Sequence, residues 1–150
     1  MTDNYPALPS IGLITQYITA LRARDSAAMQ SLRSPDFMLD WVHNDAVASA
    51  PSTHKVADQF WPVWFSAFPE MDYEVARTIA AENVVVIQWD FTGTQAGPLG
   101  LPVFDPPLEQ TGKTIRLRGI SVYDIQAGFI AKETMYIDLA TLWVELGASP

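Results

Sequence analysis

The stretch from Thr114 to Asp138, TIRLRGISVYDIQAGFIAKETMYID, decides the fold because apolar and polar residues alternate on both sides of a turn. It is rich in Val, Ile, Thr and aromatic residues, a composition that favours β-strands. Ala127 and Gly128 interrupt the pattern and suit a tight hairpin turn. The stretch therefore predicts two antiparallel strands, 114–125 and 129–138.

Two further strands are predicted upstream, at 73–81 and 84–94, where the same residue types recur. Glu82 and Asn83 between them suit a hairpin turn. The connection from Gly97 to Gly112 is long and contains several prolines and glycines, so it predicts a loop that serves as a lid or as an interface. Four sequential antiparallel strands are expected.

The N-terminal part of the chain has a helical pattern instead, with apolar residues spaced three and four apart. It predicts helices at 11–21 and 26–32, a short strand at 37–42 and a third helix from Thr53 to Phe68. A last helix is predicted from Asp138 to Leu146. Helices followed by a long sheet predict an α+β fold in which N-terminal helices cover one face of a curved antiparallel sheet.

Length and composition predict one domain over residues 1–150, because 49% of the residues are hydrophobic. Lys and Arg number 9 and Asp and Glu number 17, which gives a formal net charge of −8. We therefore expect neither a nucleic-acid partner nor an anionic membrane surface, because both would be repelled.

Metal and disulfide chemistry are not expected, because the chain has no cysteine and only two histidines, His43 and His54. The N-terminus lacks the basic and apolar pattern of a secretory leader, and no apolar run is long enough to span a membrane. The sequence therefore predicts a cytoplasmic, soluble protein.

Several short motifs resemble one known family. They are Phe68-Pro69-Glu70-Met71-Asp72-Tyr73, then Phe91-Thr92-Gly93-Thr94-Gln95-Ala96-Gly97, then Thr111-Gly112-Lys113, and finally Gly128-Phe129-Ile130 running to Asp138 and Leu146-Gly147. Their order and spacing resemble the SnoaL-like polyketide cyclases of the nuclear transport factor 2-like superfamily. The family pattern has His where this chain has Gln95, and DGK where it has Ala127-Gly128-Phe129.

The resemblance implies a cone-shaped, cystatin-like α+β barrel that forms a homodimer through its sheet. It also implies an intramolecular aldol addition without cofactor or metal, with one aspartate as acid/base. Asp138 stands at the matching position, and the period of two places Tyr136 and Thr134 on the same strand face. We expect this face to be the concave one, with Asp138, Tyr136 and Gln95 as the catalytic residues.

An apolar pocket for a small apolar or aromatic organic molecule is the second expectation, because aromatic residues are concentrated in two parts of the chain. A dehydrated carboxylate has a raised pKa, which suits it to taking a proton from carbon. The predicted pocket residues are Trp41, His43, Trp61, Trp64, Phe65, Trp89, Phe91 and Met135.

Three alternatives remain open. Asp138 also has the sequence context of a helix N-cap, a role that would lower its pKa. The same fold supports a steroid-isomerase-like proton shuttle, with Tyr136 or Tyr123 in an oxyanion hole. A non-catalytic binding or dimerisation module is the third alternative. The other strand carboxylates, Asp40, Asp90 and Glu133, could each pair with Asp138 as an acid/base dyad, although we expect them to face solvent.

Overall fold

Nine helices and strands make up the part of the chain that the computed structural model describes, residues 8–42 and 54–147. In chain order they are α1 (Pro9–Arg22), α2 (Ser26–Ser31), β1 (Arg33–Val42), α3 (His54–Ala67), β2 (Met71–Ala80), β3 (Val84–Thr94), β4 (Thr114–Gln126), β5 (Phe129–Ile137) and α4 (Leu139–Leu146). The predicted α+β class is confirmed.

The five strands form one curved sheet in the order β1-β5-β4-β3-β2. The predicted antiparallel pairing from β2 to β5 is confirmed, and Ala127 and Gly128 form the β4–β5 turn with φ angles of 51° and 78°. The pairing of β1 was not predicted: it lies parallel to β5, with Leu39 opposite Glu133. Because β1 and β2 form its edges, the sheet is unclosed.

The two faces of the sheet differ in burial. Successive side chains of β3 and β4 point alternately to opposite faces of the sheet. We call the face that carries their buried residues the inner face, and the other the outer face. The inner-face residues of these two strands include Val85, Ile87, Trp89, Phe91, Ile115, Leu117, Ser121, Tyr123 and Ile125.

A register shift between the Asp124–Lys132 and Ile125–Ile130 pairs leaves Ala131 of β5 without a partner on β4 and sets which residues of β5 face inward. Ile130 and Glu133 lie three positions apart, yet both are buried. Beyond this irregularity Glu133 pairs with Tyr123, and the period of two then turns Thr134 and Tyr136 to the outer face.

Helices α1 and α3 cover the inner face with their apolar stripes, whose spacing of three and four residues places them on one side of each helix. Burial of one large apolar side chain stabilises the fold by about 1.5–3 kcal/mol. The buried residues of these stripes include Ile14, Tyr17, Ile18 and Leu21 of α1, and Ala57, Phe60, Trp61 and Trp64 of α3.

Over the two described ranges, no helix combines the length and the hydropathy needed to cross a membrane. In the same part of the chain, no three His, Asp or Glu side chains lie close enough together to hold a metal ion.

Candidate functional site

A chain of buried polar side chains crosses the inner face from β3 to β5. The indole Nε1 of Trp89 donates to Ser121 Oγ at 3.1 Å, and Ser121 Oγ donates to Glu133 Oε2 at 3.0 Å. Ser121 is 0% and Glu133 is 1% exposed. The expectation that Glu133 faces solvent is therefore wrong, because the register shift turns its side chain inward.

Trp89 can reach Ser121 because its neighbour on β4 is Gly119. The indole lies directly over this glycine, and a Cβ placed there would lie 2.6 Å from Trp89 Cε2. On its other side the indole stacks on the ring of Tyr73, with 5.5 Å between centroids. The missing side chain at residue 119 thus fixes where the Trp89 donor points.

Among the described residues, neither Glu133 Oε1 nor the Tyr123 hydroxyl, both buried in this region, has a partner at hydrogen-bond geometry. Tyr123 is 0% exposed and lies on β4 directly opposite Glu133. An unpaired polar group in a protein interior costs about 1–3 kcal/mol, so such groups often mark functional sites.

The interior environment controls the ionisation of this cluster. Burial raises the pKa of Glu133 to about 7, while the positive charge of Arg33 and the hydrogen bond from Ser121 oppose the rise. Burial, together with the negative charge of Glu133, also raises the pKa values of Tyr17, Tyr73 and Tyr123 above the usual tyrosine range. The tyrosines are therefore protonated at neutral pH, where Glu133 can gain or lose a proton.

A buried arginine lies at the other side of the cluster. Arg33 Nε and Nη2 both donate to the Tyr17 hydroxyl, at 3.1 and 2.7 Å. The guanidinium carbon lies 4.8 Å from the centre of the Phe37 ring. In the part of the chain that the structure describes, its ion-pair partner is Asp58, with Oδ1 at 3.6 Å from Nη1. Arg33 and Tyr17 thus join α1 to β1 inside the fold.

Asp138 lies outside this cluster and caps helix α4. Its Oδ1 accepts from the Thr141 amide at 3.1 Å, and its Oδ2 accepts from the Thr141 hydroxyl at 2.6 Å. These hydrogen bonds lower the pKa of Asp138, which is exposed. The structure therefore gives Asp138 the environment of a helix cap, one of the two roles that the sequence left open. Because a cap lowers the pKa of the carboxyl group, this environment disfavours a general acid.

The strand residues grouped with Asp138 also need a correction. Thr134 and Tyr136 lie on the outer face, opposite to the face of Glu133, and the Tyr136 side chain is 49% exposed. Tyr136 and Asp138 line an outer groove of about 760 Å³, which crosses all five strands; its other lining residues are Val42, Ala76, Gln88, Trp89, Asp90, Arg118, Gly119, Ile120 and Ile137. On this face Asp40 pairs with Lys132 and Asp90 pairs with Arg116.

Gln95 belongs to a third location, the base of the loop between β3 and β4. Its Nε2 lies within 3.3 Å of the carbonyl oxygens of Gly97, Leu108 and Glu109, to which it donates. Its Oε1 accepts from the amide and the hydroxyl of Thr111 at 3.2 and 2.6 Å. The amide of Gln95 is therefore committed to holding the two ends of the loop together.

The predicted pocket residues that the structure describes are all buried: Trp41, Trp61, Trp64, Phe65, Trp89, Phe91 and Met135. Several of them pack on one another, since the Trp64 ring lies 5.1 Å from that of Phe91 and the Trp61 ring lies 5.6 Å from that of Phe65. They form an aromatic core beside the polar cluster. His43 lies outside the described residues.

The architecture, helices packed on the inner face of a curved sheet, defines the chain as a member of the nuclear transport factor 2-like fold class. The SnoaL-like domain model matches residues 14–133, and the chain belongs to this family. The resemblance drawn from its motifs is therefore confirmed. No functionally curated protein matches the sequence.

Solved structures with the same fold have low sequence identity to the chain. A protein of Jannaschia sp. CCS1, provisionally assigned as a SnoaL-like polyketide cyclase, has a TM-score of 0.78 and 19% identity over 100% of both chains. AclR of Streptomyces galilaeus, provisionally assigned as a hydroxylase, has a TM-score of 0.78 and 18% identity over 93% of this chain and 96% of its own.

IdmH of Streptomyces antibioticus, provisionally assigned as a polyketide cyclase, has a TM-score of 0.70 and 19% identity over 93% of this chain and 99% of its own. Similar structures thus carry assignments to different reactions. The fold alone does not fix the chemistry, which must be argued from the site.

Proposed function

We propose that the chain is a cofactor-independent enzyme of the polyketide cyclase type, in which Glu133 transfers the proton. The observation that carries this proposal is the unpartnered Glu133 Oε1, buried on the inner face in a carboxyl group whose pKa is raised to about 7. A general acid/base works best when its pKa lies near the working pH. Asp138, whose pKa is lowered by its capping bonds, has the opposite property.

The proposed reaction is an intramolecular aldol addition. Ionised Glu133 takes a proton from the carbon next to a substrate carbonyl, and the electron pair moves onto the carbonyl oxygen as an enolate. The Tyr123 hydroxyl donates to that oxygen, because its own hydrogen bond is unused. The enolate carbon then attacks a second carbonyl of the same molecule, and the resulting alkoxide takes the proton from Glu133.

A steroid-isomerase-like proton shuttle would use the same two groups, Glu133 and Tyr123. Of the two tyrosines considered for its oxyanion hole, the position of Tyr123 suits this role better than that of Tyr136. Tyr123 is buried on the inner face beside Glu133, whereas Tyr136 is on the outer face. In that reaction the proton returns to a different carbon, and no carbon–carbon bond forms. The two reactions share the first step, proton abstraction from carbon.

A non-catalytic binding or dimerisation module is the second candidate function. It is favoured by the mutual packing of the aromatic core, in which the Trp64 ring lies 4.8 Å from that of Phe68 and the Phe68 ring lies 5.2 Å from that of Phe91. Under this alternative, Glu133 is a structural residue that balances the charge of Arg33.

A homodimer through the sheet accompanies either candidate function. The outer face exposes large apolar side chains, among them Met38, Ile120 and Tyr136, and it carries charges of both signs. A second copy related by a two-fold axis could pair Arg118 with the carboxylates of the first. Sedimentation of wild type and Ile120→Lys would test this: we expect a dimer for the wild type and a monomer for the variant.

The shared proton-abstraction step gives a test of catalysis that does not require the natural substrate. Bicyclic ketones such as 2-tetralone and 1-indanone are incubated in D₂O at neutral pH, and loss of the proton signal next to the carbonyl is followed by NMR. We expect exchange with wild type and with Asp138→Asn, and loss of exchange with Glu133→Gln. Equal exchange rates in wild type and Glu133→Gln, or rates no faster than buffer for every ketone, would refute the proposal and favour a binding module.

A further inference from the structure

A second concave site lies between helices α2 and α3, with Arg33 at its floor. The groove has a volume of about 340 Å³ and is lined by Ser26, Ala27, Gln30, Arg33, Ala57, Asp58, Trp61 and Pro62. This volume is at the small end of the range for ligand pockets. Its walls are largely apolar, and Arg33 supplies a positive charge.

Over residues 8–42 and 54–147, the only carboxylate within ion-pair distance of the buried Arg33 guanidinium is that of Asp58. The Arg33 side chain is 5% exposed, and the partner of Nε and Nη2 is the neutral Tyr17 hydroxyl. Asp58 lies 3.6 Å from Nη1, too far for a good hydrogen bond, and its own side chain is 47% exposed. A buried cation is stable only with a well-placed anion or a full set of acceptors, so Nη1 has unused capacity toward the groove.

We propose that this groove binds a small planar carboxylate, which accepts hydrogen bonds from Arg33 Nη1 in place of Asp58. Hydrogen bonds from a guanidinium to an ionised carboxylate are charge-assisted and about twice as strong as those to a neutral acceptor, which favours a carboxylate over a neutral amide of the same shape. Trp61 and Pro62 provide flat apolar surface for the rest of the ligand. The site does not depend on catalysis by Glu133.

The bound carboxylate would also be sensed inside the fold, because Arg33 connects the groove to the polar cluster. The charge of Arg33 holds the pKa of Glu133 below the value that burial alone would give. An anion paired with Arg33 offsets part of this charge and therefore raises the pKa of Glu133 further. Occupation of the groove would thus shift Glu133 toward its protonated form.

Calorimetric titration with benzoate tests the site, with benzamide as the neutral ligand of the same shape. We expect saturable benzoate binding and at least ten-fold weaker benzamide binding. Asp58→Asn should bind benzoate about five-fold more tightly, because the competing anion is gone. The matched control is Asp36→Asn, a change at an exposed aspartate of β1 outside the groove, which should leave the benzoate affinity unchanged.

Arg33→Met should lose saturable benzoate binding, with its thermal unfolding recorded to verify that it is folded. If that variant does not fold, the Asp58→Asn result still decides the question. Equal affinities for benzoate and benzamide, an unchanged affinity in Asp58→Asn, or no saturable binding to either protein would overturn the proposal. Carboxyl NMR of Glu133 with and without benzoate adds a second readout, in which an upward pKa shift is expected.

Discussion

Replacing Glu133 by Gln tests whether the protein interior suppresses ionisation of this carboxyl. Burial raises the pKa of Glu133 from its ordinary value of 4.5 to about 7. Between these two values the folded protein keeps a proton that the unfolded chain has released, so the free energy of unfolding falls as the pH rises. The stability linked to this proton is complete below pH 4.5 and is lost as the pH passes 7.

The size of the effect follows from the two pKa values. At about 1.4 kcal/mol per pKa unit, the change from 4.5 to about 7 costs the wild type about 3 kcal/mol of stability. Gln keeps the shape of the protonated carboxyl and can still accept from Ser121 Oγ, but it carries no charge. We therefore expect Glu133→Gln to match the wild type near pH 4.5 and to exceed its stability by up to about 3 kcal/mol above pH 7.

The assay is urea unfolding followed by tryptophan fluorescence at several pH values between about 4.5 and 8.5. Subtracting the wild-type curve from the variant curve cancels the two histidines and all other titrating groups. Glu74→Gln, a change at an exposed glutamate of β2, is the matched control and should give a flat difference curve. A flat difference curve for Glu133→Gln as well would refute the assignment of Glu133 as a buried, protonated acid.

Three other substitutions have effects of predictable sign on urea unfolding. Gln95→Ala removes the hydrogen bonds that hold the loop and should lower the free energy of unfolding by about 2–4 kcal/mol. A decrease of less than about 1 kcal/mol would contradict this role. Gly119→Ala forces Trp89 from its place and should lower the free energy of unfolding by about 1–3 kcal/mol. Gly12→Ala, in open space on α1, should instead raise it by about 0.5–1 kcal/mol. Changes of the same sign in the two variants would contradict this prediction. Asp138→Ala should lower the free energy of unfolding by about 1 kcal/mol near neutral pH. This difference from the wild type should shrink below about pH 4, because the pKa of Asp138 is lowered in the folded protein. A variant as stable as the wild type at neutral pH would argue against the cap.

The strands were predictable because their residue patterns are strong and local. The expected range 84–94 agrees with β3, Val84–Thr94, since apolar residues occupy every second position there. The parallel pairing of β1 with β5 could not be predicted, because it joins segments from opposite parts of the chain and leaves no local signal.

The orientation of β5 was assigned wrongly for a similar reason. The pattern of this strand does not decide between its faces, because Ile130 and Glu133 are both buried across a register shift. The neighbouring strand contained a signal that the prediction did not use: Ser121 lies in phase with Leu117, Tyr123 and Ile125, which places a small polar residue on the buried face. Such a residue indicates a polar partner across the next strand.

Asp138 and Gln95 show how local motifs mislead about chemistry. An aspartate before a helix fits both a cap and an acid/base, and only the hydrogen bonds to Thr141 distinguish the two. Gln95 stands where the family pattern has a histidine, yet its amide bonds reach across the loop as far as Leu108 and Thr111. Contacts at this sequence distance depend on the loop conformation, which composition does not determine.

The pairing of β1 with β5 also has a consequence for biosynthesis. β1 is translated before the other four strands, and its partner β5 is translated after all of them. Until then Phe37 and Leu39 belong to a strand without its neighbour, and the nascent polypeptide exposes apolar surface that can aggregate. The native pairing of β1 must therefore wait until β5 has been translated, so the later part of the polypeptide limits the folding of the first strand.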